Sequence, residues 1–179
     1  MHLLRHPLPA AEGEPAVTTI RIIGLGSPFG ADRIGLLAAR RLAREVRLPP
    51  GVEVIERDRP GLRLLEDFTG ARAVLLLDAL AGGIPGRVRE VERSALLARA
   101  APLSSHALGV AEALALAEAL GRLPEAVGLL GVETGPAPGP EDVDPVWVQA
   151  LCLRVPVALE RLVPDRRVAG CGGRIRSRR

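Results

Sequence analysis

Apolar positions along this chain fall into two alternating periods, one suited to strands and one to helices. The run Val17-Thr18-Thr19-Ile20-Arg21-Ile22-Ile23 is β-branched and stops at Gly24, which predicts a buried first strand followed by a turn. From Ile34 to Val46 the apolar residues Ile34, Leu37, Ala38, Leu42 and Val46 recur at helical spacing, with Arg40, Arg41, Arg44 and Glu45 on the other side. Pro49-Pro50-Gly51 ends that helix. Val52–Ile55 is a short second strand, Gly61–Phe68 a helical turn or short helix, and Ala73-Val74-Leu75-Leu76-Leu77-Asp78 a continuous apolar strand of the kind covered on both faces. Arg87–Val91 alternates as an edge strand does. Gly109–Leu120 has the Ala and Leu density of a helix, and Val127–Val132 is another buried strand. A last helix over Asp144–Leu162 takes Asp144 as its N-cap and Pro145 as its first residue.

Strands alternating with helices predict an α/β domain: a mostly parallel sheet covered on both faces, with right-handed crossovers and a ligand site beyond the carboxyl ends of the strands. The domain is expected to occupy residues 17–163. Residues 1–16 mix three Pro with charges and show no period, which predicts a loosely attached lead-in. Residues 164–179 are expected to form a basic tail rich in Gly and Arg.

Composition narrows the function classes. Hydrophobic residues make up 47% of the 179, enough for a real core. The 24 positive charges are all Arg, against 21 Asp plus Glu, so the net charge is only +3 and much of the excess sits in the tail. With Tyr absent and no aromatic interleaving, no nucleic-acid partner is expected. No apolar run reaches the roughly 18 residues of a membrane span, and the first residues lack the apolar stretch of a signal peptide. The expectation is a cytoplasmic monomer without a membrane partner. Cys152 and Cys171 give neither zinc spacing nor a disulfide framework.

Gly24-Leu25-Gly26 after the first strand invites a dinucleotide-binding reading, but the third glycine of that fingerprint falls at Phe29, where close helix–strand packing wants no side chain. Three other residues draw attention. Asp32 lies just before the first helix, where it serves either as an N-cap or as a functional carboxylate. Asp78 closes an apolar strand, the place where α/β enzymes put functional side chains. His106 precedes the Gly109–Leu120 helix and is the one imidazole outside the lead-in. Two carboxylates and an imidazole at one sheet edge form a sparse site for a divalent transition metal, with positions left for a second molecule. A serine mechanism through Ser104 or Ser105 lacks the G-x-S-x-G elbow. A thiol mechanism has only a mid-helix Cys152 and a tail Cys171 to draw on.

Four stretches together carry a family resemblance: Ile23 to Gly35 (IGLGSPFGADRIG), Leu75-Leu76-Leu77-Asp78-Ala79 with the later Pro85-Gly86, Ser104-Ser105-His106, and Gly131-Val132-Glu133. In order and spacing the chain resembles the nickel–iron hydrogenase maturation proteases, endopeptidases that trim the C-terminal extension of a hydrogenase large subunit. The resemblance covers roughly Ile20 to Leu162. It implies a three-layer α/β/α sandwich around a five-stranded sheet, with Asp32, Asp78 and His106 as the metal-contacting and catalytic residues. It implies a hydrogenase large-subunit precursor as partner, and nickel carried by that substrate as the metal recognised. The family's paired acids are here Ala31-Asp32, so one carboxylate is missing. That departure keeps open a factor that binds a hydrogenase subunit or metal without cutting, and it makes Glu133 a candidate compensating acid.

Overall fold

The first strand, β1 (Ile20–Gly26), runs through Gly24-Leu25-Gly26 where the sequence predicted a turn. Pairing explains the extension, since Leu25 and Gly26 still lie opposite Arg57 and Asp58 of β2 (Val52–Asp58). The structure is a computed structural model and describes residues 19–46, 48–98, 107–136 and 142–164. The expected lead-in and basic tail, Ser104, Ser105, His106 and Cys171 lie outside the described residues.

After β1 a 3-10 turn (Gly30–Arg33) leads into α1 (Ile34–Glu45). β2 is followed by a second 3-10 turn (Gly61–Arg63) and α2 (Leu64–Phe68), then β3 (Ala73–Leu80). Next come the edge strand β4 (Val88–Glu92), a short α3 (Arg93–Leu97), α4 (Ala107–Ala119), β5 (Ala126–Glu133) and α5 (Pro145–Leu162). The sheet order is β2-β1-β3-β5-β4, with β4 antiparallel to β5 and the other pairs parallel. α5 starts as the sequence predicted: Pro145 is its first residue, and the Asp144 carboxylate accepts the Val146 N–H at 2.8 Å. α3 was not anticipated, because five residues are too few to display a helical period.

Side chains on β3 alternate between two apolar layers. Val74, Leu76 and Leu80 pack with Phe68 of α2, Leu96 of α3 and Leu114 of α4. Leu75, Leu77 and Ala79 pack with Ile34 and Leu42 of α1 and Leu151 and Val155 of α5. The result is a three-layer α/β/α sandwich whose central strand β3 is buried along its whole length. β2, on the edge, instead alternates partly buried and exposed residues. It continues past Ile55 because its charges find partners: Arg40 donates to Glu56 at 2.6 Å, and Arg57 makes a two-pronged bond to the buried Asp67 at 2.7 and 2.6 Å. That pair holds α2 to the carboxyl end of β2, and neither residue was singled out from the sequence.

Candidate functional site

The strand order places one reversal of direction between β1 and β3. β1 connects to β2 through α1 on one face, whereas β3 connects to β5 through β4, α3 and α4, with both helices on the other. A doubly wound sheet opens a crevice where such neighbouring strands part, at their carboxyl ends. Asp32 follows one of the two strands that flank this crevice, in the turn after β1, and Asp78 lies within the other, β3.

Asp32 sits inside the 3-10 turn that follows β1, and it is not the N-cap of α1. That position is taken by Arg33, which has helical dihedrals and makes no side-chain cap bond. The turn touches β3 and is fixed from both sides. The Ser27 N–H donates to the Asp32 carbonyl at 3.4 Å, and Ala31 buries its methyl in the layer formed with α1 and α5. Asp32 itself is left half-buried. The position where the resembling family carries its other acid thus holds an apolar packing residue.

Asp78 lies within β3 rather than closing it, because Ala79 and Leu80 still pair with Val132 and Glu133 of β5. Alternation puts it on the face of Val74, Leu76 and Leu80, toward α2 and α4. The carboxylate is fully buried, and its Oδ1 accepts the Ala79 N–H at 2.8 Å. Keeping such a group in an otherwise apolar strand is costly, which separates Asp78 from the leucines around it. α4 covers this same face, and its first turn packs Gly109 against Gly61 at the carboxyl edge. His106 precedes α4 in sequence and lies outside the described residues. Among the described residues, no three His, Cys, Asp or Glu side chains form a group able to hold a metal ion.

Helix α1 approaches the crevice without side chains between. A Cβ on Gly35 would overlap the carbonyl oxygens of Leu25 and Leu77, one from each flanking strand, and a Cβ on Gly24 would overlap the Gly35 carbonyl. Gly24 within β1 and Gly35 within α1 therefore serve close helix–strand packing, though not in a dinucleotide fingerprint.

Glu133 is engaged elsewhere. It ends β5 beside Leu80, is 2% exposed, and takes both prongs of Arg87 at 2.7 and 2.8 Å together with the Ile84 N–H at 2.8 Å. The Arg87 bond chiefly, then the Ile84 N–H, pulls its carboxyl from an ordinary 4.5 to about 2. With its oxygens taken up by Arg87 and the Ile84 N–H, Glu133 is a structural anion of the loop after β3 and is not free to stand in for the carboxylate missing at Ala31. Because the folded-state value is lowered, its contribution to stability is complete above about pH 4.5 and fades as the pH falls through about 2. Urea titrations across that window should show the wild type losing stability on acidification by more than Glu133→Gln does.

Cys152 is buried in α5, where its thiol donates to the Ala38 carbonyl at 3.6 Å and burial pushes its pKa up, so it is a packing residue and not a nucleophile. A cleft of about 450 Å³ lies at the opposite end of β5, lined by residues such as Glu90, Gly128 and Arg161, and neither Asp32 nor Asp78 lines it. No helix among the described residues is long and apolar enough to cross a membrane.

The sheet order and the two covered faces define a doubly wound α/β protein, with the β1/β3 crevice as its candidate site. The family model for hydrogenase maturation proteases matches residues 37–140, and the chain belongs to that family. Curated relatives include the hydrogenase expression/formation proteins HupD of Bradyrhizobium diazoefficiens, 28% identical over 64% of this chain and 62% of that protein, and HoxM of Cupriavidus necator, 30% identical over 62% and 57%. The hydrogenase 2 maturation protease of Escherichia coli is 29% identical over 63% of this chain and 71% of its own length. The chain thus spans about three fifths of HupD and HoxM, at 62% and 57% of their lengths. Among solved structures, the hydrogenase maturating endopeptidase HybD of Escherichia coli superposes with a TM-score of 0.69 at 22% identity, covering 80% of this chain and 93% of that one. HybD of Thermococcus kodakarensis gives 0.63 at 23% identity, covering 80% and 99%.

Proposed function

We propose that this protein is an endopeptidase that removes the C-terminal extension of a nickel–iron hydrogenase large-subunit precursor once nickel has been inserted. The observation that carries the reading is the placement of Asp32 in the turn after β1 and of Asp78 in β3, the two strands that flank the switch point, with Asp78 kept as a buried carboxylate in an apolar strand. His106 joins them on the strength of the sequence pattern. Nickel arrives as part of the substrate, and the two carboxylates and the imidazole complete its coordination. Metal so held orients the neighbouring peptide and polarises its carbonyl or a water for attack. Trimming then depends on correct loading, because an empty precursor offers the trio nothing to bind.

The experiment is an incubation of purified protein with nickel-loaded and nickel-free precursor, read as a shift on a gel. Only the loaded form should shorten, and Asp32→Ala and His106→Ala should each leave it at full length. Normal trimming by either variant sinks the proposal. A non-cleaving maturation factor, which Ala31 favours, would bind the loaded precursor tightly and leave its mass unchanged.

A further inference from the structure

The loops at the carboxyl edge expose large apolar side chains, each just after a strand. Phe29 follows β1 and is 71% exposed, Leu62 follows β2 at 59%, and Ile84 follows β3 at 60%. Ile84 is the one whose backbone is most heavily fixed. The segment 81–87 is tied to the end of β5 by paired bonds between Gly82 and Gly135, at 2.7 and 3.0 Å, and by the Gly86 N–H to the Glu133 carbonyl at 2.8 Å. The Ile84 N–H itself is anchored on Glu133, whose other bonds go to Arg87. Gly83 sits at φ +70° against the Glu133 carboxylate, where a Cβ would overlap the carboxylate atoms.

A buried carboxylate, its arginine and a glycine that tolerates no side chain thus hold an isoleucine out into solvent. Rigid presentation of an apolar side chain gains nothing for folding, but it lowers the ordering cost of binding. The loop starts three residues beyond Asp78 and bridges β3 to β4 above the end of β5, so Ile84 follows one of the strands that flank the crevice and Phe29 follows the other.

On the reading of the protein as a maturation endopeptidase, we infer that Ile84 is a specificity residue that contacts an apolar patch of the precursor protein beside the scissile segment. Glu133 is its positioning residue, acting through its bonds to the Ile84 N–H and to Arg87. Substrate recognition therefore has a component independent of metal.

Steady-state trimming of a nickel-loaded large-subunit precursor from the same organism tests this, with binding to that precursor measured in parallel. Ile84→Ser should raise KM about tenfold with kcat held within about twofold, as expected when contact common to ground and transition states is removed. Glu133→Gln should raise KM in the same direction while its melting midpoint is monitored. Val157→Ser on α5, equally a loss of an exposed apolar side chain, should leave both constants unchanged. If Ile84→Ser trims with wild-type KM, the inference is wrong and the endopeptidase reading stands. If the wild type binds without trimming, that reading falls, and tenfold weaker binding by Ile84→Ser still supports the contact. In that case equal binding by the two overturns the contact as well, and a wild type that neither binds nor trims overturns both.

Discussion

Asp78→Asn should lose precursor trimming by at least about a thousandfold while keeping the wild-type fold, the size of loss expected when a group acting on the reacting metal and peptide is neutralised. The substitution is nearly isosteric and keeps the amide oxygen that can accept the Ala79 N–H, as the Asp78 Oδ1 does at 2.8 Å. What it removes is the charge. In a strand where every other residue is apolar, the nearly isosteric change leaves the packing in place, so the protein should still melt as a single folded species. Loss of activity is then expected without loss of the fold. Circular dichroism melts and single-turnover trimming of nickel-loaded precursor give the two readings. An Asp78→Asn protein that trims at even a tenth of the wild-type rate removes Asp78 from the site.

The second large effect is structural. Gly35→Ala should destabilise the protein by about 3 kcal/mol or abolish soluble expression, at the upper end of what added core methyls do. The new Cβ would meet backbone on two strands at once, the carbonyls of Leu25 and Leu77, and neither can rotate away as a side chain would. Only a shift of α1 relieves the overlap, and α1 carries Ile34, Ala38 and Leu42 of the buried layer. Gly121→Ala is the contrast: nothing lies within 4 Å of its Cβ, so any cost there comes from its φ of +63°. Chemical denaturation of the two variants separates steric cost from backbone cost.

Much of this architecture was legible in the amino-acid order. The runs that became β3 and β5 are continuous and apolar because both faces are covered, and the Asp144-Pro145 start of α5 is a local signal that tertiary context left intact. Boundaries failed where pairing overrode composition. Gly24-Leu25-Gly26 looks like a turn, and Glu56-Arg57-Asp58 lies past the predicted end of the second strand at Ile55, yet each extends a strand because the other lies beside it. Asp32 was placed correctly along the chain, but its N-cap role was not realised, since a 3-10 turn intervenes before α1. Asp78 was read as closing its strand and lies two residues inside it. Glu133 shows the limit most clearly. As a strand-end acid it resembled a reactive group, and only the distant Arg87 and the fold of 82–86 reveal it as a structural anion. Sequence order carries no signal for a partner 46 positions away.

The bare contact between α1 and the two flanking strands has a consequence for how the crevice can behave. Its walls meet through main chain at Gly24 and Gly35, so their separation depends on no rotamer and cannot be tuned by swapping one side chain for another. An opening of fixed width does not adapt to what enters it. On the endopeptidase reading, any adjustment falls to the precursor.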